Sequence, residues 1–167
     1  MLAALLLALS LSVPTHIGEQ LAQARLAGTG SYTWFGLTLY DAELWVGEPG
    51  YQAGAPFVLE LRYARALEGR RIADASVDQM EKMGAGTPAQ RAAWRIRLRA
   101  MFPDVKKGSR IAGASLPDGG VRFFLDGAPL ASVPDPAFGK AFFGIWLDPA
   151  TSAPGLRAAL LKDGAPR

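Results

Sequence analysis

The sequence predicts an α+β fold, an antiparallel sheet with helices gathered on one face. Residues 31–46 alternate nearly by twos, with Trp34, Gly36, Thr38, Tyr40, Ala42, Leu44 and Val46 on one side of a long strand. Strand-like stretches fall in two groups, one before about residue 63 and one between 110 and 133, and a pair of helical stretches follows each. Chains ordered in this way bury the apolar face of a sheet under a layer of helices.

Each element has its own signal. Residues 13–24 read as a mobile or weakly helical lead-in that includes His16. A short strand follows at 26–33, where Gly28 and Gly30 permit a bulge or a close backbone approach. In the aromatic ribbon the odd positions begin apolar (Phe35, Leu37, Leu39) and turn acidic (Asp41, Glu43). Its first half is therefore expected to be covered on both faces and its second half on one. Asp41 and Glu43 look solvated, and their environment suggests no acid–base pair. Residues 48–56 form a turn-rich loop, and Phe57, Leu59, Leu61 and Tyr63 then alternate as a strand.

Ser76-Val-Asp-Gln79 reads as a capping box opening a helix that stops at Gly84. Thr87-Pro-Ala-Gln90 opens a second, with an apolar stripe of Ala93, Trp94, Leu98 and Met101, ended by Phe102-Pro103. Strands resume at 110–114 and 121–125, joined by Asp118-Gly-Gly120, and Asp126-Gly127 turns into a short strand at 130–133. Asp135 caps a helix carrying Phe138, Phe142, Ile145 and Trp146, and residues 152–162 form the last one.

Composition narrows the chemistry. With no cysteine there is no thiolate or disulfide, and the one histidine, His16, lies near the start of the chain, which nearly excludes a multi-histidine metal site and a Ser-His-Asp triad within the domain. No metal and no cofactor are expected. Net charge is only +3, yet residues 62–110 hold twelve Lys or Arg against five Asp or Glu. Such a basic middle could attract nucleic acid, anionic lipid or an acidic small molecule; without a recognition motif, solvated helix faces explain most of it, and no nucleic-acid partner is expected. Residues 1–12 are a run of Leu, Ala and Ser after Met1, shorter than the roughly 20 apolar residues a bilayer span needs. They match the apolar core and small-residue end of a secretory signal, with Ala8, Ser10 and Ser12 as cleavage candidates, but lack a positive leading region. The alternative is a buried N-terminal helix. The signal reading makes residues 13–167 one domain, without an integral membrane segment, that works in the periplasm or beyond.

Taken together, Gly28-Thr-Gly30, Trp34-Phe-Gly-Leu-Thr-Leu-Tyr-Asp-Ala-Glu-Leu-Trp45, Leu59-Glu-Leu-Arg-Tyr63, Phe102-Pro-Asp-Val105, Asp135-Pro-Ala-Phe138 and Phe142-Phe-Gly-Ile-Trp-Leu147 resemble the chalcone isomerase-like family in its bacterial exported branch. The resemblance runs from about residue 25 to 161. It implies an open-faced β-sandwich with a ligand cleft between sheet and helices. It also implies either ring closure by intramolecular addition, as in chalcone isomerases, or capture of a fatty-acid carboxylate by an Arg and a Tyr. Arg25 falls near the family's early-strand arginine, and Thr38 and Tyr40 could supply hydroxyls. The tyrosine that precedes a helix in the enzymes has no counterpart here, where Ile72-Ala-Asp-Ala-Ser76 stands. Tyr63 and Arg65 could close the pocket.

Each of these residues also has a plainer reading. Arg25 could be a surface arginine, Thr38 a strand former, and Tyr40 and Tyr63 core or sheet-end aromatics. The first functional expectation is a non-catalytic binder of a small hydrophobic anion such as a fatty acid, with Arg25, Thr38, Tyr40 and Tyr63 as ligand contacts. An isomerase or lyase is the second, and an envelope interaction module without a small ligand the third.

Overall fold

The structure, a computed structural model, describes residues 12–165. Six antiparallel strands form one meander in chain order: β1 (Arg25–Trp34), β2 (Leu37–Val46), β3 (Phe57–Tyr63), β4 (Arg110–Ser115), β5 (Val121–Leu125) and β6 (Ala128–Val133). A short helix, α1 (Thr15–Gly18), precedes them. Helices α2 (Gly69–Lys82) and α3 (Pro88–Met101) lie between β3 and β4, and α4 (Pro136–Leu147) and α5 (Pro154–Leu160) follow β6. The expected α+β layering is present. Most of the signal segment expected at residues 1–12 lies outside the described residues. Among the described residues no helix is long and apolar enough to cross a membrane.

Alternation along the strands sorts the core into two. Ala42, Leu44 and Val46 of β2, Leu59, Leu61 and Tyr63 of β3, and Phe123 of β5 face the helices and meet Phe138, Phe142 and Trp146 of α4. Phe123 is fully buried with its ring edge-on to Phe102 and Phe142. On the other face, Trp45, Val58, Ala112, Ala114 and Phe124 are covered by Ile17 and Leu21 of the lead-in. That segment takes the weakly helical alternative, as α1, and it is packed: His16 is buried, and its Nε2 lies 2.6 Å from Glu60 Oε2.

The aromatic ribbon departs from its expected shape. It is not one strand but parts of β1 and β2, folded back at Phe35-Gly36, where φ is 47° and 74°. Trp34 pairs with Leu37, leaving a two-residue turn. The two-sided burial also runs opposite to expectation. Leu44, Trp45 and Val46 at the far end are buried, while Leu37 beside the turn is exposed. The reason is coverage: the lead-in reaches only the far part of the second face.

Gly28 explains how α5 reaches the sheet. A Cβ there would stand 2.0 Å from the carbonyl oxygen of Ala159, so only glycine permits this approach. The expected bulge is present, between Leu26 and Gly28.

The second capping box behaves as predicted. Thr87 Oγ1 accepts from the Gln90 N–H, the Gln90 side chain accepts from the Thr87 N–H, and Pro88 takes the first turn. The first box does not. α2 starts seven residues before Ser76, at Gly69, and the Ser76 hydroxyl donates back to the Ile72 carbonyl from mid-helix. Much of the basic middle is a solvated face, as expected. Hydrogen bonding by Arg99, and then by Arg95, lowers the Asp74 carboxyl to about 2 and ties α3 to α2.

Candidate ligand-binding site

Between the sheet and the helices lies a cavity of about 480 Å³, within the range of about 300–1,000 Å³ usual for small-molecule sites. Leu59, Leu61, Ile111 and Phe123 form its floor, and Phe142, Ile145 and Trp146 of α4 form one wall. The other wall is α2, which contributes Ile72, Ala75, Ser76 and Gln79. Alanine and serine here are too short to reach the sheet, so space remains where larger side chains would fill it. The aromatic side chains do not plug the cavity.

Its three phenols come from three strands in register. Tyr32 pairs with Tyr40 across β1 and β2, and Tyr40 with Tyr63 across β2 and β3. The rings of Tyr32 and Tyr40 stack at 5.3 Å, and Tyr63 meets Tyr40 at 6.0 Å. Trp146 Nε1 donates to the Tyr40 hydroxyl at 2.9 Å, leaving that hydroxyl its own proton to donate. Tyr63 makes no hydrogen bond through its hydroxyl to any described residue, although its side chain is buried. Burial pushes both phenols far above the ordinary range. They therefore stay neutral near pH 7, and serve as hydrogen-bond donors rather than as bases. At the rim stand Arg71, Asp78 and Lys82 of α2, with Ser152 beyond. The lining among described residues holds one carboxylate, Asp78, and no histidine.

Four contacts were expected from sequence, and the structure brings two of them together in the cavity: Tyr40 and Tyr63. Thr38 is on β2 near the turn, paired with Thr33, and outside the lining. Arg25 is not at the mouth. Its Nη1 and Nη2 donate to the carbonyls of Asp163 and Ala165, at 2.5 and 2.6 Å, and anchor the end of the chain. Arg25, expected as a ligand contact, is thus corrected: the guanidinium that borders the cavity belongs to Arg71, on α2. Sequence reasoning missed it by starting α2 at Ser76. Arg71, Ala75, Asp78, Gln79 and Lys82 recur at helical spacing, and a helix begun at Gly69 puts them on one face. Tyr32 was missed because the hairpin that pairs it with Tyr40 was read as one strand.

The model of the chalcone isomerase-like family matches residues 11–162. The chain belongs to that family. An uncharacterized protein of Haemophilus influenzae is 29% identical over 135 residues, which are 80% of this chain. The aligned stretch spans 66% of that protein's length. The crystal structure of the fatty-acid binding protein AtFAP1 of Arabidopsis thaliana is similar in fold, with a TM-score of 0.67 and 13% identity. The similarity covers 86% of this chain and 89% of that one. The family fold, an open-faced sheet with helices over a cleft, is thereby established for this chain.

Proposed function

We propose that this protein is a non-catalytic binder of a hydrophobic anion such as a fatty acid. The observation that carries the reading is the open apolar cavity, with two protonated phenols inside and two cations at its rim. An acyl tail removed from water into such a space gains about 0.8 kcal/mol per methylene. A carboxylate has two ways to be held, by the Tyr40 and Tyr63 hydroxyls in the interior or by Arg71 and Lys82 at the rim. That a fold neighbour is named as a fatty-acid binding protein supports the same reading. We also propose, from the apolar run at residues 1–12, that the chain is exported.

Native mass spectrometry of the purified protein tests the binding. A co-purified acyl anion, or uptake of added palmitate, is expected. Tyr63→Phe distinguishes the two anchoring modes from Arg71→Ala combined with Lys82→Ala, since the true anchor weakens uptake by about tenfold. Arg25→Ala is expected to leave uptake unchanged. Cyclisation of an added chalcone above its spontaneous rate, without acyl uptake, would replace this reading with an isomerase.

A further inference from the structure

The turn between β1 and β2 carries an apolar tip. Phe35 is 85% exposed, Trp34 57% and Leu37 47%, and the Trp34 and Phe35 rings meet edge-on at 4.6 Å. Among the described residues, the other exposed large hydrophobics are Val13 and Ile96, well separated in sequence from each other and from the tip. Isolated apolar side chains on a surface are ordinary, but three together at a protruding turn are not.

The backbone adds a second, independent observation. A two-residue turn with both φ values positive favours Asn-Gly, because a Cβ there crowds the following carbonyl oxygen and asparagine offsets that by local hydrogen bonding, which phenylalanine cannot do. Phe35 occupies the strained first position. Folding alone would be served better by asparagine, so the strain points to a role for the exposed ring.

Charge supplies the third observation. β3 ends and β4 begins at the same end of the sheet as this turn, since Tyr40 pairs with Tyr63 and Arg62 with Arg110. The Leu67–Val105 bridge brings the start of α2 to that end too. Seven cations collect there: Arg62, Arg65, Arg70, Arg71, Lys106, Lys107 and Arg110. The carboxylates at that end are Asp41, Glu68, Asp104 and Asp126. Three of these accept hydrogen bonds within the fold, from the Ser31 hydroxyl and from the Gly69 and Arg110 N–H groups, and Glu68 pairs with Arg71 at 3.6 Å, so seven cations against four carboxylates leave that end three positive charges in excess. Trp34 and Leu39 also line the cavity, so the tip adjoins its mouth.

We propose that this hairpin docks on an anionic phospholipid bilayer, with Trp34, Phe35 and Leu37 in the interfacial layer and the surrounding cations on the headgroups. Docking there sets the cavity mouth against the membrane, a route for cargo that rests on the binding function proposed above. The docking itself rests only on the hairpin and the charge around it.

Trp34 makes the test simple, because Trp45, Trp94 and Trp146 are buried and only Trp34 would sense lipid. Vesicles of phosphatidylcholine, with and without phosphatidylglycerol, are titrated into the protein while emission and co-flotation are followed. The expected result is a blue shift and flotation with the anionic vesicles, weakened by high salt. Phe35→Asn is expected to reduce partitioning by about tenfold, with a thermal midpoint no lower than that of the unaltered protein. No partitioning of the unaltered protein, or equal partitioning of Phe35→Asn, would overturn the proposal. So would self-association in sedimentation that Phe35→Asn abolishes without any vesicle binding, which would make the tip a contact between copies. Palmitate titration without vesicles separates the two readings. If palmitate fails to bind while vesicle docking persists, the cargo is wrong and the docking stands.

Discussion

The two faces of the sheet use alternate residues of the same strands and arrive at opposite interiors. Toward the helices, Leu59, Leu61 and Tyr63 look into a cavity of about 480 Å³ beneath α2. Toward the lead-in, Val58 and Glu60 meet a small packed patch under Ile17, Leu21 and the His16–Glu60 pair, and beside it lies a smaller, more polar hollow of about 230 Å³ lined by Asp41, Glu43, Trp45 and Arg62. The difference follows from what covers each face. A long helix is stiff and spans the sheet on its few large side chains, so short residues such as Ala75 and Ser76 leave volume unfilled. A short irregular segment can settle onto the sheet where Ile17 and Leu21 cross it, so the space left on that face lies at the edge of the patch, among charged side chains. The larger, apolar hollow therefore belongs on the helix-covered face, and the polar groups aimed into it are free to meet a ligand.

The packed part of the helix face should be the most sensitive to loss of volume. Phe123→Ala is expected to cost about 3–5 kcal/mol, read by urea denaturation, because Phe102, Phe138 and Phe142 surround the ring. Enlarging side chains then separates the two faces. Ala112→Leu, in the packed patch under the lead-in, is expected to cost about 1–3 kcal/mol, whereas Leu61→Phe, into the apolar hollow, should cost less than about 1 kcal/mol and still block acyl uptake. Equal costs would mean that the hollow closes in solution. Glu60→Ala leaves His16 buried without its partner and should cost about 1–3 kcal/mol, with faster hydrogen exchange at the amides of Ile17 and Leu21.

The smallest effect expected is alkaline. Tyr40 and Tyr63 have phenol pKa values raised by burial, so their contribution to stability is complete below the unfolded value of about 10. It is lost as pH rises from there toward the folded values. An ultraviolet difference titration should find these two phenols un-ionised until the protein unfolds, while acyl affinity stays flat between about pH 7 and 9. Early ionisation of either would mean that water reaches the phenols freely.

The legible parts of the fold were those written in local chemistry. The Thr87 and Asp135 caps, the Asp118-Gly-Gly120 hairpin and the period-2 strand at Phe57–Tyr63 each act through neighbours close in sequence. Ser76 misled because a serine three residues before a glutamine is also compatible with mid-helix, where its hydroxyl bonds back to Ile72. The turn at Phe35-Gly36 was hidden because phenylalanine is the wrong residue for it by propensity. Of the expected contacts, Tyr40 and Tyr63 fell into the cavity because strand alternation fixes which face a residue takes. Thr38 shares Tyr40's side of β2 yet misses the lining, since it is closer to the turn.

By itself the sequence determined the layers, the family, and which strand residues turn toward the helices, because periodicity and capping are set by backbone geometry over a few residues. Only the tertiary structure decided where the cations stand. Arg25 went to the carbonyls at the end of the chain and Arg71 to the cavity rim, since a long side chain takes whatever partner distant segments bring within reach. It also decided that the space beneath α2 stays open, which depends on how a rigid helix bridges the sheet.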